Sequence, residues 1–228
     1  MKRSQINAAI AHAMQLMKDN NITLPFFGYM TKADWEKSDI DYSVLKAVMM
    51  GWDVTDFSSD DFDHIGSTLF TVRNGSPYDK NVGVPYAEKY IIMQAKCNQE
   101  IPMHFHNIKS EDIINRAGGM LNIQVYNSRP DGSLDTESGV KLYQDGVLTV
   151  LKPGEVIHVQ HGNSVTLTPG IYHRFFATEG DVIVGEVSSI NDDNLDNVFL
   201  KPTGRFSEIE EDEPITYLQV KEYDFIKR

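Results

Sequence analysis

The feature that most constrains the fold is a succession of short runs rich in Val, Ile, Phe and Tyr between about residues 66 and 188. The runs are Thr68 to Val72, Lys89 to Ala95, Leu121 to Tyr126, Val147 to Leu151, Glu155 to Gln160, Val165 to Thr168, His173 to Ala177 and Asp181 to Ser188. Turn-forming pairs such as Asn74-Gly75, Pro169-Gly170 and Glu179-Gly180 separate them. Many short strands with no helical pattern between them predict a sandwich, barrel or jelly roll.

The segment before these runs has a helical pattern. Residues 4–19 place apolar side chains three and four positions apart, which is typical of an amphipathic helix. The apolar positions are Ile6, Ile10, Ala13 and Met17. A second helix is expected at residues 43–50. We therefore predict a single domain with a helical arm at residues 1–60, a β-barrel at 61–190 and a C-terminal extension at 191–228.

Composition excludes several classes of protein. The chain of 228 residues has a net charge of −12 and no basic patch, which argues against a nucleic-acid partner. No apolar stretch approaches the ~20 residues of a membrane helix. The single cysteine, Cys97, allows no internal disulfide, so we expect a protein of a reducing compartment, the cytoplasm, with this thiol buried.

The histidines form the most informative polar pattern. In a strand, residues two apart share a face, so His104 and His106 point in the same direction. Two imidazoles that face one point form half of a site for a divalent metal. Glu111 follows after a four-residue turn that returns a carboxylate to the pair, and His173 begins a later strand directly after a Pro-Gly turn. The predicted ligands are therefore His104, His106, Glu111 and His173.

This donor set limits the metal without choosing it. Three neutral nitrogens and one carboxylate suit Mn²⁺, Fe²⁺, Co²⁺, Ni²⁺ or Zn²⁺. Of the remaining histidines, we expect His158 to be a core residue or a support for the site.

The spacing His104-x-His106-x₄-Glu111, with Gly118 after it, resembles the first cupin motif, and Gly170-x-x-His173 resembles the second. The whole chain resembles the bacterial D-lyxose isomerase family of cupins. The carriers are Leu24 to Gly28, Glu88 to Tyr90, Pro102 to His106 with Lys109 and Glu111, Pro169 to Phe175, Gly185 to Ser188 and Asn191 to Asn194. The resemblance implies a mainly β fold, a cupin-type jelly-roll β-barrel, with the helical arm before it and a closing segment after it.

The resemblance also implies a function. It indicates a Mn²⁺-dependent aldose–ketose isomerase, a homodimer, that acts on D-lyxose and D-xylulose and on D-mannose and D-fructose. Such a reaction moves a proton between C1 and C2, commonly through a cis-enediol. A small neutral sugar needs no basic pocket, which fits the acidic composition.

Candidate catalytic groups follow from the faces of the predicted strands. Glu186 shares a face with apolar residues, where a carboxylate is costly unless it is paired or functional, so it is the candidate general base. Lys109 lies in the turn between the ligands and is the candidate to stabilise an enediolate or relay a proton. Lys89 shares an inward face with apolar residues and is a candidate substrate contact. The resemblance adds Arg205 and Glu213 as substrate contacts that help to close the pocket.

Two other functions use the same ligands. An Fe²⁺-dependent cupin dioxygenase is the first, and it favours a dry, apolar pocket rather than inward-facing charges. A non-catalytic sugar-binding cupin is the second, and it would bind a sugar without exchanging its protons.

Overall fold

The protein is mainly β, with three α-helices and twelve β-strands among the residues that its computed structural model describes, 1–192, 195–204 and 207–225. The helices are α1 (Arg3–Asp19), α2 (Lys32–Lys37) and α3 (Ser43–Ala47). The strands are β1 (Gly51–Thr55), β2 (Ser67–Gly75), β3 (Gly83–Met93), β4 (Glu100–His106), β5 (Glu111–Ser128), β6 (Leu134–Asp135), β7 (Val140–Gln144), β8 (Val147–Leu151), β9 (Val156–Val159), β10 (Ser164–Leu167), β11 (Ile171–Ser188) and β12 (Asn197–Phe199). Short 3-10 turns occupy Phe26–Gly28, Lys96–Asn98 and Val220–Phe225.

Two strands of 18 residues, β5 and β11, pair antiparallel along nearly their whole length and belong to both layers of the barrel. In one layer the strand order is β1-β2-β3-β11-β5-β10-β7-β8. In the other layer the opposite halves of β5 and β11 pair with β9 and β4, and β12 lies beside β4. Two antiparallel layers that share bent strands form a jelly roll, so the predicted fold class is confirmed.

The bend in the two long strands depends on backbone that only glycine adopts without cost. Gly118 has a φ of +96°, and a Cβ at this position would lie 1.9 Å from the Asp181 carbonyl oxygen. The register of the β5–β11 pair shifts there, between Thr178 and Val182. The Glu179-Gly180 pair, which the sequence predicts to be a turn between two strands, is therefore a bulge within one continuous strand, because the bend allows pairing to resume on its far side.

The helical arm packs on the outside of the barrel. The predicted apolar face of α1 is buried and contacts Phe70 of β2 and Trp52 of β1 within one apolar cluster. Strand β1 lies within the range predicted as helical arm, so strand structure begins before residue 61. The prediction that the chain forms a single domain stays a prediction. Among the described residues, no helix is both long and apolar enough to cross a membrane.

The C-terminal strap, residues 207–225, fastens the arm to the barrel. Arg3 of α1 has a fully buried side chain and donates two hydrogen bonds to Glu211, from Nε at 2.8 Å and from Nη2 at 2.7 Å. The same guanidinium pairs with the buried Glu222. Gln219 Oε1 accepts a hydrogen bond from the Val54 backbone N–H at 2.9 Å, which adds the strap to β1. The strap therefore contacts both α1 and β1.

Removing the Arg3 guanidinium is expected to destabilise the protein strongly. Arg3→Ala leaves the Glu222 carboxylate buried without its cation, which typically costs about 3–5 kcal/mol. Glu211→Gln is the matched control, since the Glu211 side chain is 54% exposed and the loss there should be under about 1 kcal/mol. Urea unfolding of both variants measures the difference, and equal losses would contradict the assignment of Arg3–Glu222 as the dominant pair.

Candidate metal centre and active site

The predicted ligands come from three strands that the barrel brings together. His104 and His106 lie on β4, and His173 on β11 is the direct register partner of His104. Glu111 is the first residue of β5, after the turn at residues 107–110. All four side chains are buried. The fold therefore gathers the residues of both sequence motifs at one point inside the barrel; their role as ligands stays a prediction.

The turn between β4 and β5 is held by a residue that the sequence analysis missed. Asp196 Oδ1 accepts a hydrogen bond from the Ile108 N–H at 2.8 Å, and its Oδ2 accepts one from the Lys109 N–H at 2.9 Å. Asp196 precedes β12, which pairs with β4, and this pairing delivers the carboxylate to the turn. No local pattern distinguishes Asp196 from the other acidic residues near it, because its partners are about 90 positions away.

The imidazole tautomers are compatible with a bound cation. His104 Nδ1 lies 2.8 Å from the Pro102 carbonyl oxygen, and His173 Nδ1 lies 2.9 Å from the Ile171 carbonyl oxygen. A carbonyl only accepts, so each Nδ1 carries the proton and each Nε2 carries a lone pair. The two Nε2 atoms face one another at 3.0 Å, and such facing lone pairs repel unless a cation lies between them.

The carboxylate completes this donor set. Glu111 Oε1 lies 3.3 Å from His173 Nε2, and Glu111 Oε2 lies 3.5 Å from His106 Nε2. Oε1 is buried and makes no hydrogen bond within the described part of the chain. The ring nitrogens of His104, His106 and His173 lie within 4.8 Å of one another, so the residues present fit a divalent metal.

Burial and neighbouring groups together set the protonation states that metal binding needs. Burial and the neighbouring His173 and His106 hold the pKa of His104 well below its usual range. Burial lowers the pKa of His173 to about 4. Burial alone would raise the pKa of Glu111, but Lys109 and His106 outweigh it and hold this pKa well below the usual range. At neutral pH the two imidazoles are neutral and the carboxylate is ionised, as in metal sites.

A buried lysine links the ligand group to the candidate base. Lys109 Nζ lies 2.7 Å from Glu111 Oε2 and 2.9 Å from Glu186 Oε1, and it donates to Asn191 Oδ1 at 3.3 Å. Lys109 and Glu186 are both buried, although a lysine in a turn is ordinarily exposed. Asn191 belongs to the run Asn191 to Asn194 that supports the family resemblance, but the sequence analysis did not name it as a site residue; its contact with Lys109 shows its place beside the site.

Lys89 and Glu186 are register partners on β3 and β11, so both point into the barrel. Ser188 Oγ donates to Glu186 Oε1 at 3.2 Å, which holds the carboxylate beside Lys109. Lys89, Lys109 and Glu186 all line one cleft with three of the predicted ligands, His104, His106 and Glu111. The cleft encloses about 490 Å³, including its open mouth, and its remaining wall is mostly apolar.

Glu213, a predicted substrate contact, lies on the C-terminal strap. Glu213 is exposed, accepts a hydrogen bond from Asn7 Nδ2 at 2.6 Å and does not line the cleft, because the strap runs over α1 at this point. Arg205 lies outside the described residues. His158 is exposed and bonded to Asn122 Oδ1 at 2.6 Å, and Cys97 is exposed as well, so the expectations of burial for these two were wrong.

Comparison with known proteins finds matches over nearly the whole chain. A family model described as D-lyxose isomerase matches residues 1–223. A D-lyxose/D-mannose isomerase of Serratia proteamaculans is 42% identical over 226 residues, 98% of each chain. A D-lyxose/D-mannose isomerase of Escherichia coli O157:H7 is 41% identical over 229 residues, again 98% of each chain.

Solved structures share the fold at much lower identity. The L-ribose isomerase of Acinetobacter sp. DL28, in complex with L-ribose, matches 92% of this chain and 98% of its own with a TM-score of 0.60 and 16% identity. The L-ribose isomerase of Cellulomonas parahominis with L-psicose gives a TM-score of 0.58 at 15% identity, with the same coverage. These two likenesses concern the fold.

Loss of one imidazole is expected to remove the metal. His106→Ala deletes a donor from the centre of the group, so most of the ion should be lost on desalting after incubation with Mn²⁺, while the parent retains about one ion per chain. His158→Ala is the control, because His158 is an exposed histidine outside the cleft. Elemental analysis measures the content; full occupancy in His106→Ala would overturn the ligand assignment.

Proposed function

Because the chain belongs to the D-lyxose isomerase family, we propose that it interconverts D-lyxose with D-xylulose and D-mannose with D-fructose. It is an aldose–ketose isomerase. One observation supports the proposal most strongly: the buried histidine group that could hold a metal and the Lys109–Glu186 ion pair lie at the same cleft. Isomerisation of a sugar needs both an electrophile at its oxygens and a base at its carbons.

His104, His106, Glu111 and His173 are the residues that would hold the metal. A divalent ion bound there would act as a Lewis acid that polarises the sugar oxygens at C1 and C2, and this would make the C–H bond at C2 of the aldose more acidic. The chain holds these ligands in place through backbone carbonyls and the Asp196-bound turn. Ligands fixed in this way need no rearrangement as charge develops on the substrate.

Glu186 is the proposed base. Its carboxylate takes the proton from C2 of the aldose and returns it to C1 of the enediol, while the proton of the C2 hydroxyl passes to O1. Hydrogen bonds from Lys109 and Ser188 orient one of its oxygens, Oε1. Holding the base within the cleft gives proton transfer its geometric advantage.

Lys109 is the proposed electrostatic partner of the reaction. Its ammonium lies between Glu111 and Glu186, at the boundary between the ligand group and the base. From this position it can donate a hydrogen bond to the substrate oxygen on which negative charge grows. Lys89, also in the cleft, is proposed to contact the sugar hydroxyls.

Three further properties belong to the proposal. Mn²⁺ is the proposed ion, since a set of imidazoles and a carboxylate suits it. A homodimer in the cytoplasm is the proposed form and location of the protein. The resemblance of the motifs supports the ion and the homodimer, and the single cysteine of the sequence supports the location.

Incubating the protein with D-lyxose and Mn²⁺ in D₂O tests the activity directly. We expect D-xylulose to form and deuterium to appear at C2 of the recovered D-lyxose, because the protonated base exchanges its proton with D₂O before returning it to the enediol; NMR measures both. The reaction should proceed without oxygen, which separates it from that of a dioxygenase. The absence of both ketose and exchange would refute the isomerase activity and leave a binding protein.

Glu186→Gln is expected to lower kcat by about 10²–10⁴-fold, since the amide cannot accept the proton. The metal content should not change, because Glu186 is not among the ligands. Glu179→Gln, on the same strand but exposed, is the matched control and should turn over normally. Steady-state rates with D-lyxose and elemental analysis of each variant measure the two effects; near-parental turnover in Glu186→Gln would clear this residue of the base role.

A further inference from the structure

The loop that follows β1 has an unusual backbone. Phe57 has a φ of +53°, Ser58 of +59° and Asp60 of +58°, and none of them is glycine. A bulky aromatic residue in the left-handed region is strained. Such strain persists where surrounding contacts impose the conformation, and it clusters at functional sites.

Hydrogen bonds from both sides impose the conformation of this loop. Thr55 Oγ1 accepts from the Phe57 N–H at 2.9 Å, and Asp56 Oδ1 accepts from the Ser58 N–H at 2.9 Å. Ser207 of the C-terminal strap bonds the Asp56 side chain, and its Oγ accepts from the Asp56 N–H at 3.1 Å. Thr55 and Asp56 are buried, so two interior polar side chains hold the backbone on either side of Phe57 in place.

The result is that Phe57 leaves the arm and enters the barrel. Its side chain is 8% exposed and packs in the barrel cluster with Ile91, Met93 and Ile101 rather than with α1. Its ring centroid lies 5.6 Å from that of Phe199, and the Phe199 centroid lies 5.2 Å from that of His104. Phe57 is thus one side of the cleft wall, separated from the ligand group by a single aromatic ring.

The cleft has a polar part and an apolar part. The groups that carry the chemistry and line the cleft are Lys89, His104, His106, Lys109, Glu111 and Glu186, and C1 and C2 of a substrate must lie among them. The rest of the wall has one polar side chain, Asn197, and six apolar ones: Phe57, Leu69, Ile91, Ile101, Phe175 and Phe199. The six apolar side chains have no polar atom with which to bond a hydroxyl, so where they surround the far end of a sugar they discriminate by the space that they leave.

We propose that Phe57 determines how long a sugar chain the cleft accepts, an inference that rests on the proposed isomerase function. D-Lyxose and D-mannose have the same configuration at C2, C3 and C4 and differ by one carbon at the end away from the reaction. Discrimination between them must therefore arise at the far end. The strained loop holds the Phe57 ring against that end and favours the pentose.

Phe57→Leu and Phe57→Ala test this inference through kcat/KM for both sugars with the Mn²⁺-loaded protein. Enlarging the apolar wall should raise the D-mannose to D-lyxose ratio of kcat/KM, by about 10-fold for Ala, the lower range for one carbon in an apolar pocket, and by less for Leu. Phe70→Leu is the matched control. Phe70 is fully buried but packs with Phe27 on the arm side of β2, so its loss should lower stability and leave the ratio unchanged.

The outcomes separate the two proposals. If the parent protein interconverts neither sugar, the proposed function fails. If the parent is active and the Phe57 variants, folded by circular dichroism, change both sugars by the same factor, the role of Phe57 is overturned. A rise in the ratio with Phe57→Ala that exceeds the rise with Phe57→Leu, and is absent from Phe70→Leu, supports it.

Discussion

The antiparallel pairing of β5 with β11 is the constraint on which the rest of the structure depends. Each strand runs through both layers of the barrel, so one hydrogen-bonded ladder sets the separation of the layers and the register of everything attached to them. The start of β5 carries Glu111, and β11 carries both His173 and Glu186. The distances between ligand and base are therefore properties of this ladder rather than of any loop.

The charged groups inside the barrel can be buried only because they pair with one another. Lys109, Glu111 and Glu186 would each be costly to bury alone, and each is paired with another at 2.7–2.9 Å. The same contacts hold Glu111 ionised, which prepares it as a ligand. Burial of the imidazoles acts in the same sense, since it keeps His104 and His173 neutral. The same ion pairs and the same burial therefore both stabilise the polar interior and set the charge states that suit a cation.

Much of this could be predicted from the sequence where the signal is local. His104, His106, Glu111 and His173 were found because strand alternation and turn length fix directions over a few residues. The Glu179-Gly180 pair was misinterpreted, because a bulge and a turn use the same residues and differ in what pairs beyond them. The sequence analysis missed the contacts of Asp196 with the β4–β5 turn and of Glu213 with Asn7 for a common reason, since both residues bond partners far away along the chain. The position of Phe57 had no signal at all, as its left-handed backbone lacks glycine.

The C-terminal strap has a consequence for how the molecule is made. Arg3 and Glu211 are 208 positions apart, so the guanidinium that α1 buries cannot meet its partners until nearly all of these residues have left the ribosome. The Ser207 bonds that hold the Asp56 loop come equally late. During synthesis the barrel strands can pair while the arm stays undocked and the aromatic wall of the cleft stays loose. Docking of the arm therefore has to wait for the strap, because Arg3 has no carboxylate partner from the strap until Glu211 and Glu222 have been made.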